Sequence, residues 1–158
     1  MTEAPDIEIA RYALRTFALA DAYFCDLDDD QIPFSWRVLT GMYRASGDWL
    51  TGECLARCEK GYAHEVPAAE CECGIYGALC LASLRKQYPQ ASRLVAVIAA
   101  QYKTIIGSQG LRTSGARVVA YWCRPDAKAE RHQCATQFRE AREYYDLTAM
   151  LSAYEIPV

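Results

Sequence analysis

The hydrophobic residues of this chain recur mainly in short runs that are typical of β-strands. Residues 94–100 (LVAVIAA) are apolar on both faces and rich in β-branched side chains, which predicts a central strand. Residues 102–106 continue that strand or pair with it, and Ser108-Gln109-Gly110 predicts a turn. The β-branched and aromatic content of residues 117–123 (RVVAYWC) favours another strand over a helix.

The N-terminal segment fits two patterns. Residues 11–20 (RYALRTFALA) alternate as a strand would, but Ile7, Ala10, Leu14 and Phe17 also have helical spacing. We favour the strand, because the acidic run 26–30 (DLDDD) follows closely and is typical of a solvated loop.

Two segments have the spacing of buried helices. One covers residues 74–88 and ends before Pro89, since the position preceding a proline disfavours helical geometry. The other runs from a cap at Asp126 to about residue 154, with a break near Asp146, which is itself a plausible cap. Its expected apolar stripe is Cys134, Phe138, Ala141 and Tyr145, and its expected ion pairs are Arg139–Glu143 and Arg142–Asp146.

These elements predict an α+β fold, in which a small, mainly antiparallel sheet packs on a central helix and a C-terminal helical segment. With 158 residues, the chain has the length of a single domain, 1–158. Its net charge of −3 argues against bulk electrostatic attraction to nucleic acid or to an anionic membrane. Neither a signal peptide nor an apolar run of membrane-spanning length is visible, so we expect a cytoplasmic protein.

Eight cysteines in a reducing compartment point to metal binding and buried thiols rather than to disulfides. Cys58, His64, Cys71 and Cys73 form the pattern C-x5-H-x6-C-x-C, and four such ligands suit a tetrahedral Zn²⁺ ion. A closed shell of four protein ligands predicts a structural site. Cys54 is an alternative ligand in place of His64, because on a helix over residues 53–60 it would face the same way as Cys58.

A second group, Cys123, His132 and Cys134, lacks an obvious fourth ligand, and core packing of its two cysteines is the favoured interpretation. The chain carries no nucleophile elbow, no phosphate-binding loop and no dinucleotide-binding glycine motif. A non-enzymatic role is therefore favoured. A zinc-dependent hydrolase or transferase would need an open metal position, which a fourth protein ligand removes.

Nucleic-acid binding is the alternative function. Seven basic side chains lie in a stretch poor in acids, with Tyr88, Tyr102, Tyr121 and Trp122 available for stacking on bases. The net acidity favours an ordinary solvated face instead. The seven are Arg85, Lys86, Arg93, Lys103, Arg112, Arg117 and Arg124.

A set of short motifs resembles small uncharacterised proteins of actinobacteria and their phages. The motifs are Trp49, Ala56-x-Cys58, His64-x-x-Pro67, Cys71-x-Cys73-Gly74-Ile75-Tyr76 and Gly110-x-Arg112, with Arg15, Phe17 and the segment 154–157 near the two ends. The resemblance implies Cys58, His64, Cys71 and Cys73 as the metal cluster, and it supports a strand at the N-terminus. This chain departs from the pattern in having Cys54 nearby and in having Gly77 where the pattern has alanine.

We therefore expect a cytoplasmic interaction or regulatory protein with a structural zinc site, encoded by a phage and acting on a host protein. Trp36, Tyr43 and Trp49 are the candidate contacts for that protein partner, since tryptophan and tyrosine dominate binding hot spots. Core packing of the same three residues is the favoured alternative.

Overall fold

The computed structural model describes residues 11–21, 37–41, 49–58 and 60–158, and within them it confirms the α+β class. The strands are β1 (Arg11–Arg15), β2 (Ala18–Asp21), β3 (Arg37–Thr40), β4 (Glu53–Leu55), β5 (Ile75–Ala78), β6 (Leu94–Ile106), β7 (Gly110–Cys123) and β8 (Arg142–Tyr144). The helices are α1 (Leu81–Gln87), α2 (Lys128–Gln137) and α3 (Leu147–Ala153), with a short 3₁₀ helix at Pro89–Ser92. None of the helices in the described part is long and apolar enough to cross a bilayer.

The sheet is built on a long antiparallel hairpin of β6 and β7, in which Leu94 faces Cys123 and Ile106 faces Leu111. β1 pairs antiparallel with β6, and β5 pairs antiparallel with both β7 and β1. The pairings β6–β7–β5–β1–β6 therefore form a closed ring of four strands. β4 and β8 lie against β7, with β8 parallel to it, and β2 and β3 form a separate two-stranded sheet.

Gly77 allows the ring to close. A Cβ atom on Gly77 would lie 2.6 Å from the Cβ of Ala13 and 3.2 Å from the Cδ1 of Ile98, well inside ordinary carbon contact distances. Only a residue without a side chain fits where β5 passes β1 and β6. The core around this point is apolar, and Ala13, Phe17 and Ile98 are fully buried.

The side-chain amide of Gln137 joins α2 to β3. The Nε2 of Gln137 donates to the carbonyl oxygens of Leu39 and Trp49, at 2.9 Å each. Its Oε1 accepts from the backbone N–H of Leu39 at 2.8 Å and from the Nε2 of Gln133 at 3.2 Å. Gln137 is buried, and all four of its hydrogen-bonding positions are filled. The amide thus acts as a strand partner for Leu39.

Several strand predictions are confirmed. Residues 94–100 and 102–106 form one strand, β6, and residues 117–123 belong to β7, which begins earlier, at Gly110. The backbone N–H of Gly107 donates to the carbonyl of Gly110 at 2.8 Å across the predicted turn. The N-terminal segment is extended, as predicted, but it is divided into β1 and β2 by Thr16 and Phe17, which are both buried.

The helix predicted over residues 74–88 is wrong in its first half. Ile75–Ala78 is strand β5, because the edge of β7 offers it a ladder of hydrogen bonds and Gly77 has little tendency to hold a helix. The helix begins only at Leu81, where the Sγ of Cys80 accepts from the backbone N–H of Ser83 at 3.4 Å.

The long helix predicted after Asp126 is also wrong, since it is divided into α2, β8 and α3. Asp126 does not cap α2. Its carboxylate accepts from Arg124 at 2.6 Å, and Ala127 stands at the N-cap. The expected i,i+4 pairs give way to other contacts, since Glu143 pairs with Arg131 at 3.3 Å and the guanidinium of Arg142 lies over the ring of Tyr144.

Other parts of that prediction hold. Cys134 and Phe138 are buried in the core and Ala141 packs against it. The inclusion of Tyr145 in this stripe is wrong, because α2 ends at Gln137 and the Tyr145 side chain is exposed. The prediction of Asp146 as a cap is confirmed, because its side chain accepts from the backbone N–H groups of Thr148 and Ala149 at the start of α3.

Candidate metal centre

The four predicted ligands lie in or beside the connection between β4 and β5. Both strands pair with the same edge of β7, where Cys54 faces Ala116 and Ile75 faces Thr113. The two ends of the connection, residues 56–74, are therefore held next to each other by the sheet. Cys58 follows β4 closely, and Cys71 and Cys73 immediately precede β5. We call residues 56–74 the metal loop.

The structure brings Cys58, His64, Cys71 and Cys73 together, with their ligand atoms all within 4.8 Å of one another. The Sγ atoms of Cys58 and Cys71 are 3.8 Å apart, and the Sγ of Cys73 is 3.9 Å from the Nε2 of His64. A tetrahedron with metal–sulfur bonds of about 2.3 Å and a metal–nitrogen bond of about 2.0 Å has edges of about 3.8 Å between sulfurs and about 3.5 Å between sulfur and nitrogen. The arrangement fits one metal ion.

His64 presents the correct nitrogen to the cluster. Its Nδ1 lies 2.8 Å from the carbonyl oxygen of Glu65, so an Nδ1–H donates there and Nε2 is left to face the sulfurs. Metal-bound histidines in proteins commonly have such a carbonyl partner, which fixes the tautomer and the ring direction. The same carbonyl is the main cause of the raised pKa of His64, and the Cys71 side chain adds to it.

The three thiols differ in their electrostatic surroundings. Hydrogen bonds from the backbone N–H of Cys73 and from the His64 ring lower the pKa of Cys71 to about 6. Desolvation raises the pKa of Cys73 instead. The lowered pKa favours the thiolate form of Cys71, which is the form that a metal ion binds. The charge of a bound dication would favour ionisation of the other thiols.

Arg112 braces the metal loop from the sheet. Its Nη1 donates to the carbonyl oxygens of Cys71 and of Cys73, the latter at 3.0 Å, and its Nη2 donates to the carbonyl of Ala68 at 3.2 Å. Because Arg112 lies on β7 opposite Tyr76 of β5, its guanidinium reaches the end of the loop that carries two of the ligands. A single fixed side chain thus orients the backbone around both cysteines.

Gly74 closes the loop at the start of β5. Its φ of +120° lies in a region that side chains rarely adopt. A Cβ atom there would also lie 3.2 Å from the Cβ of Pro67 and 3.3 Å from the Cβ of Arg112. Gly74 therefore lets the chain turn from Cys73 into the sheet while the loop packs against Arg112.

The alternative ligand Cys54 lies elsewhere. The segment around it is strand β4, Glu53–Leu55, rather than the predicted helix, and Cys58 lies beyond the end of that strand. Cys54 is buried in the core beside Ala116 and is not a member of the four-residue group. In the second predicted group, Cys123 and Cys134 are buried in the core, as favoured, and His132 is exposed.

Of the predicted partner contacts, Trp36 and Tyr43 lie outside the described residues. Trp49 is buried, with 3% of its surface exposed, and its ring packs edge-on against Phe17 at 5.2 Å. The guanidinium of Arg15 lies 5.2 Å from the Trp49 ring on another side. Trp49 therefore packs in the core, which was the favoured alternative, and its prediction as an exposed contact for a partner is wrong.

Exposed apolar side chains lie instead in and beside the metal loop. Leu55 of β4 and Tyr102 of β6 are 73% and 72% exposed, and Tyr62 and Tyr76 are 62% and 47% exposed. Sequence patterns did not single these residues out as a group, because they come from three strands and one loop that meet only in the fold. The one available signal was the irregular alternation around Tyr102.

The predicted basic face is neutralised in part. Arg93 pairs with Glu130 at 2.9 Å, Arg124 with Asp126 at 2.6 Å and Lys103 with Glu65 at 3.2 Å, while Arg112 bonds to the metal loop. Of the four aromatics considered for stacking, Tyr121 is buried. Three of the seven basic side chains are thus paired with carboxylates, and a fourth is engaged by the metal loop.

No family model matches the chain, and neither a curated protein nor a solved structure does. The resemblance to small actinobacterial and phage proteins thus stays a prediction. The fold and the site define an α+β protein whose Cys₃His cluster could hold a metal ion.

Proposed function

We propose that the protein is a cytoplasmic interaction domain in which one structural Zn²⁺ ion, bound by Cys58, His64, Cys71 and Cys73, holds the metal loop in shape. The observation that carries this proposal is the convergence of four ligand atoms within 4.8 Å, at separations that fit a tetrahedron. Three thiolates and one imidazole are a typical structural zinc set. Four protein ligands leave no position for a water or a substrate, so the site supports architecture rather than catalysis.

Zinc binding would contribute directly to folding. The ligands come from a loop whose described backbone hydrogen bonds, after that of Ala56 to Ser114, are short turns, such as Gly61 to Cys58 and Cys71 to Ala68 at 3.1 Å each. The contacts from the sheet reach this loop through the side chains of Arg112, Lys103 and Tyr76, and the unfolded chain offers no preformed site. The ion would fasten β4 to β5 along the edge of β7.

A surface beside the metal loop supports the interaction role. Leu55 and Tyr102 meet above Gly115, where a Cβ atom would lie 2.9 Å from the Cδ2 of Tyr102 and 3.2 Å from the Cδ2 of Leu55. Tyr102 has a φ of +65°, which is rare for a bulky residue, and it lies where the β6–β7 register shifts. Strained residues persist where the surroundings hold them, often at functional sites.

The hydroxyl of Thr113 supports this shift. Thr113 is fully buried, and its Oγ1 lies 2.9 Å from the carbonyl oxygen of Gln101 and 3.3 Å from that of Lys103, on either side of Tyr102. Lys103 in turn pairs with Glu65 of the metal loop at 3.2 Å. Tyr102 is thus presented outward by a fixed backbone that also contacts the loop. An exposed, fixed tyrosine is a suitable anchor for a protein partner.

The metal part of the proposal is tested by metal analysis of purified protein. We expect one equivalent of zinc in the wild-type chain, and a loss of zinc in Cys73→Ser. The matched control is Cys80→Ser, because Cys80 is also partly exposed but caps α1 outside the cluster. A zinc content far below one equivalent in the wild type would contradict the proposal.

The interaction part is tested by affinity capture with the zinc-loaded protein as bait. On the resemblance, an actinobacterial lysate is the first source of a partner, as expected if the chain is a phage protein acting on a host. We expect the double variant Leu55→Ala, Tyr102→Ala to lose a partner that the wild type captures. Tyr145→Ala is the control, since Tyr145 is 75% exposed but lies after β8, over Arg131. Equal capture by both variants would reject this surface.

A further inference from the structure

Two of the four metal ligands are placed to react with each other. The Sγ atoms of Cys58 and Cys71 are 3.8 Å apart, against about 2.05 Å in a disulfide, so an approach of under two ångströms would join them. Both side chains are partly exposed, unlike the core cysteines Cys123 and Cys134. A small oxidant in solvent can therefore reach them. The cluster has the geometry of a dithiol as well as that of a metal site.

The loop permits this approach. The backbone carbonyl of Cys71 accepts a hydrogen bond from Arg112. Cys58 lies at the other end of the loop, and among the described hydrogen bonds its carbonyl accepts one, a turn bond from the Gly61 N–H at 3.1 Å. Cys58 can thus move towards a fixed Cys71. The Cys73 sulfur instead lies 3.9 Å from the ring of His64.

We propose that the metal centre is also an oxidation site, at which a hydroperoxide converts Cys58 and Cys71 into a disulfide and releases the metal ion. This inference rests on the proposed zinc site. One thiolate attacks a peroxide oxygen, the O–O bond breaks, and a sulfenic acid and an alcohol (water, from H₂O₂) form. The second thiolate attacks the sulfenic sulfur, the S–S bond forms, and hydroxide leaves as water. Two sulfurs lose two electrons, and the peroxide takes up two electrons and two protons.

Loss of the metal follows from the ligand count. Once Cys58 and Cys71 are joined, only Cys73 and His64 remain as ligands, and two ligands do not complete a tetrahedral shell. The new bond would link the same two ends of the metal loop that the ion linked. Oxidation therefore replaces the metal ion by a disulfide as the cross-link of the loop, and the sheet should stay folded. The change is confined to the loop that carries Tyr62 and borders Tyr76.

The test is a titration of the zinc-loaded wild-type protein with hydrogen peroxide, followed by a chromogenic zinc dye, intact mass and peptide mapping. We expect one zinc released per disulfide, a mass loss of 2 Da per chain, and a cross-linked pair of peptides containing Cys58 and Cys71. Dithiothreitol with added zinc should restore the starting state, and far-ultraviolet circular dichroism should change little. Cys80→Ser, the matched control, should behave as the wild type.

The outcomes separate this inference from the zinc proposal. Protein that contains zinc but forms a Cys71–Cys73 link, or only sulfinic and sulfonic acids, overturns the oxidation site and leaves the structural zinc site standing. Zinc release without any disulfide likewise overturns the oxidation site and leaves the structural zinc site standing. Protein purified without zinc contradicts the proposed function, and peroxide treatment after reconstitution with Zn²⁺ then shows whether Cys58 and Cys71 still react as a pair.

Discussion

Replacing Arg112 should weaken metal binding although Arg112 is not a ligand. In Arg112→Met, the carbonyls of Ala68, Cys71 and Cys73 lose their shared donor, while much of the side-chain volume is kept. Hydrogen bonds to charged groups contribute about 1.5–3 kcal/mol each when they are buried. Arg112 is only partly buried and the released carbonyls can bind water, so we discount the sum of three bonds to about 2 kcal/mol.

That free energy corresponds to a loss of about 30-fold in zinc affinity, within the 10–100-fold range usual for groups that orient metal ligands. The assay is competition for Zn²⁺ with a chromophoric chelator at fixed pH. Arg112→Lys should bind nearly as weakly as Arg112→Met, because an ammonium group cannot reach three carbonyls in a fixed plane. Arg117→Met, on the same strand but facing Glu53, is the control. If Arg112→Met bound zinc with the wild-type affinity, the role of Arg112 in orienting the metal loop would be refuted.

Three further predictions concern the ring, the buried amide and the thiols. Gly77→Ala should lower the free energy of unfolding by about 1–3 kcal/mol in urea titrations, since its Cβ would lie 2.6 Å from the Cβ of Ala13 on β1. Gly107→Ala is the control and should leave the free energy of unfolding unchanged, because its Cβ would lie 3.5 Å from the nearest atom. Equal destabilisation by both substitutions would argue against the closed ring. Gln137→Leu should cost about 3 kcal/mol by the same titration, because three buried backbone groups lose their partner, and a neutral result would contradict the amide bridge. In metal-free protein at pH 7, Cys71, with its pKa of about 6, should be alkylated faster than Cys73, whose pKa is raised. The thiolate of Cys71, and the stabilisation that its lowered pKa represents, should be lost as the pH falls through about 6. Peptide mass spectrometry measures the two alkylation rates, and equal rates would count against this prediction.

The strands that the sequence predicted well share a local cause. Residues 94–100 are β-branched and apolar on both faces, and a strand covered on both sides suits that composition. Asp146 was likewise predictable as a cap, since a helix N-terminus and its capping side chain are neighbours in the chain. Such features depend on residues close in sequence, and periodicity captures them.

The elements that were predicted wrongly depend on distant partners. Ile75–Ala78 has a helical apolar spacing, but β7, which follows more than thirty residues later, offers it hydrogen bonds. On its other side β1 pairs with it and brings Ala13 close to Gly77. The same edge of β7 makes Cys54 part of a strand, and its side chain is buried in the core rather than in the ligand cluster. No local pattern contains that information.

The metal centre lies between these two cases. The spacing of Cys58, His64, Cys71 and Cys73 already predicted the ligand set, because ligands near in sequence can meet around one ion through a short loop. Arg112 was taken for a member of a basic face, and its role as a brace appears only when β5 and β7 pair. Leu55 and Tyr102 become neighbours only because β4 and β6 pair with opposite edges of β7 at Gly115.

The ligand set can be read out by X-ray absorption spectroscopy at the zinc edge of the purified, metal-loaded protein. We expect three sulfurs at about 2.3 Å and one nitrogen at about 2.0 Å around the ion, with no oxygen ligand. A shell of oxygens and nitrogens, or of four sulfurs, would contradict it.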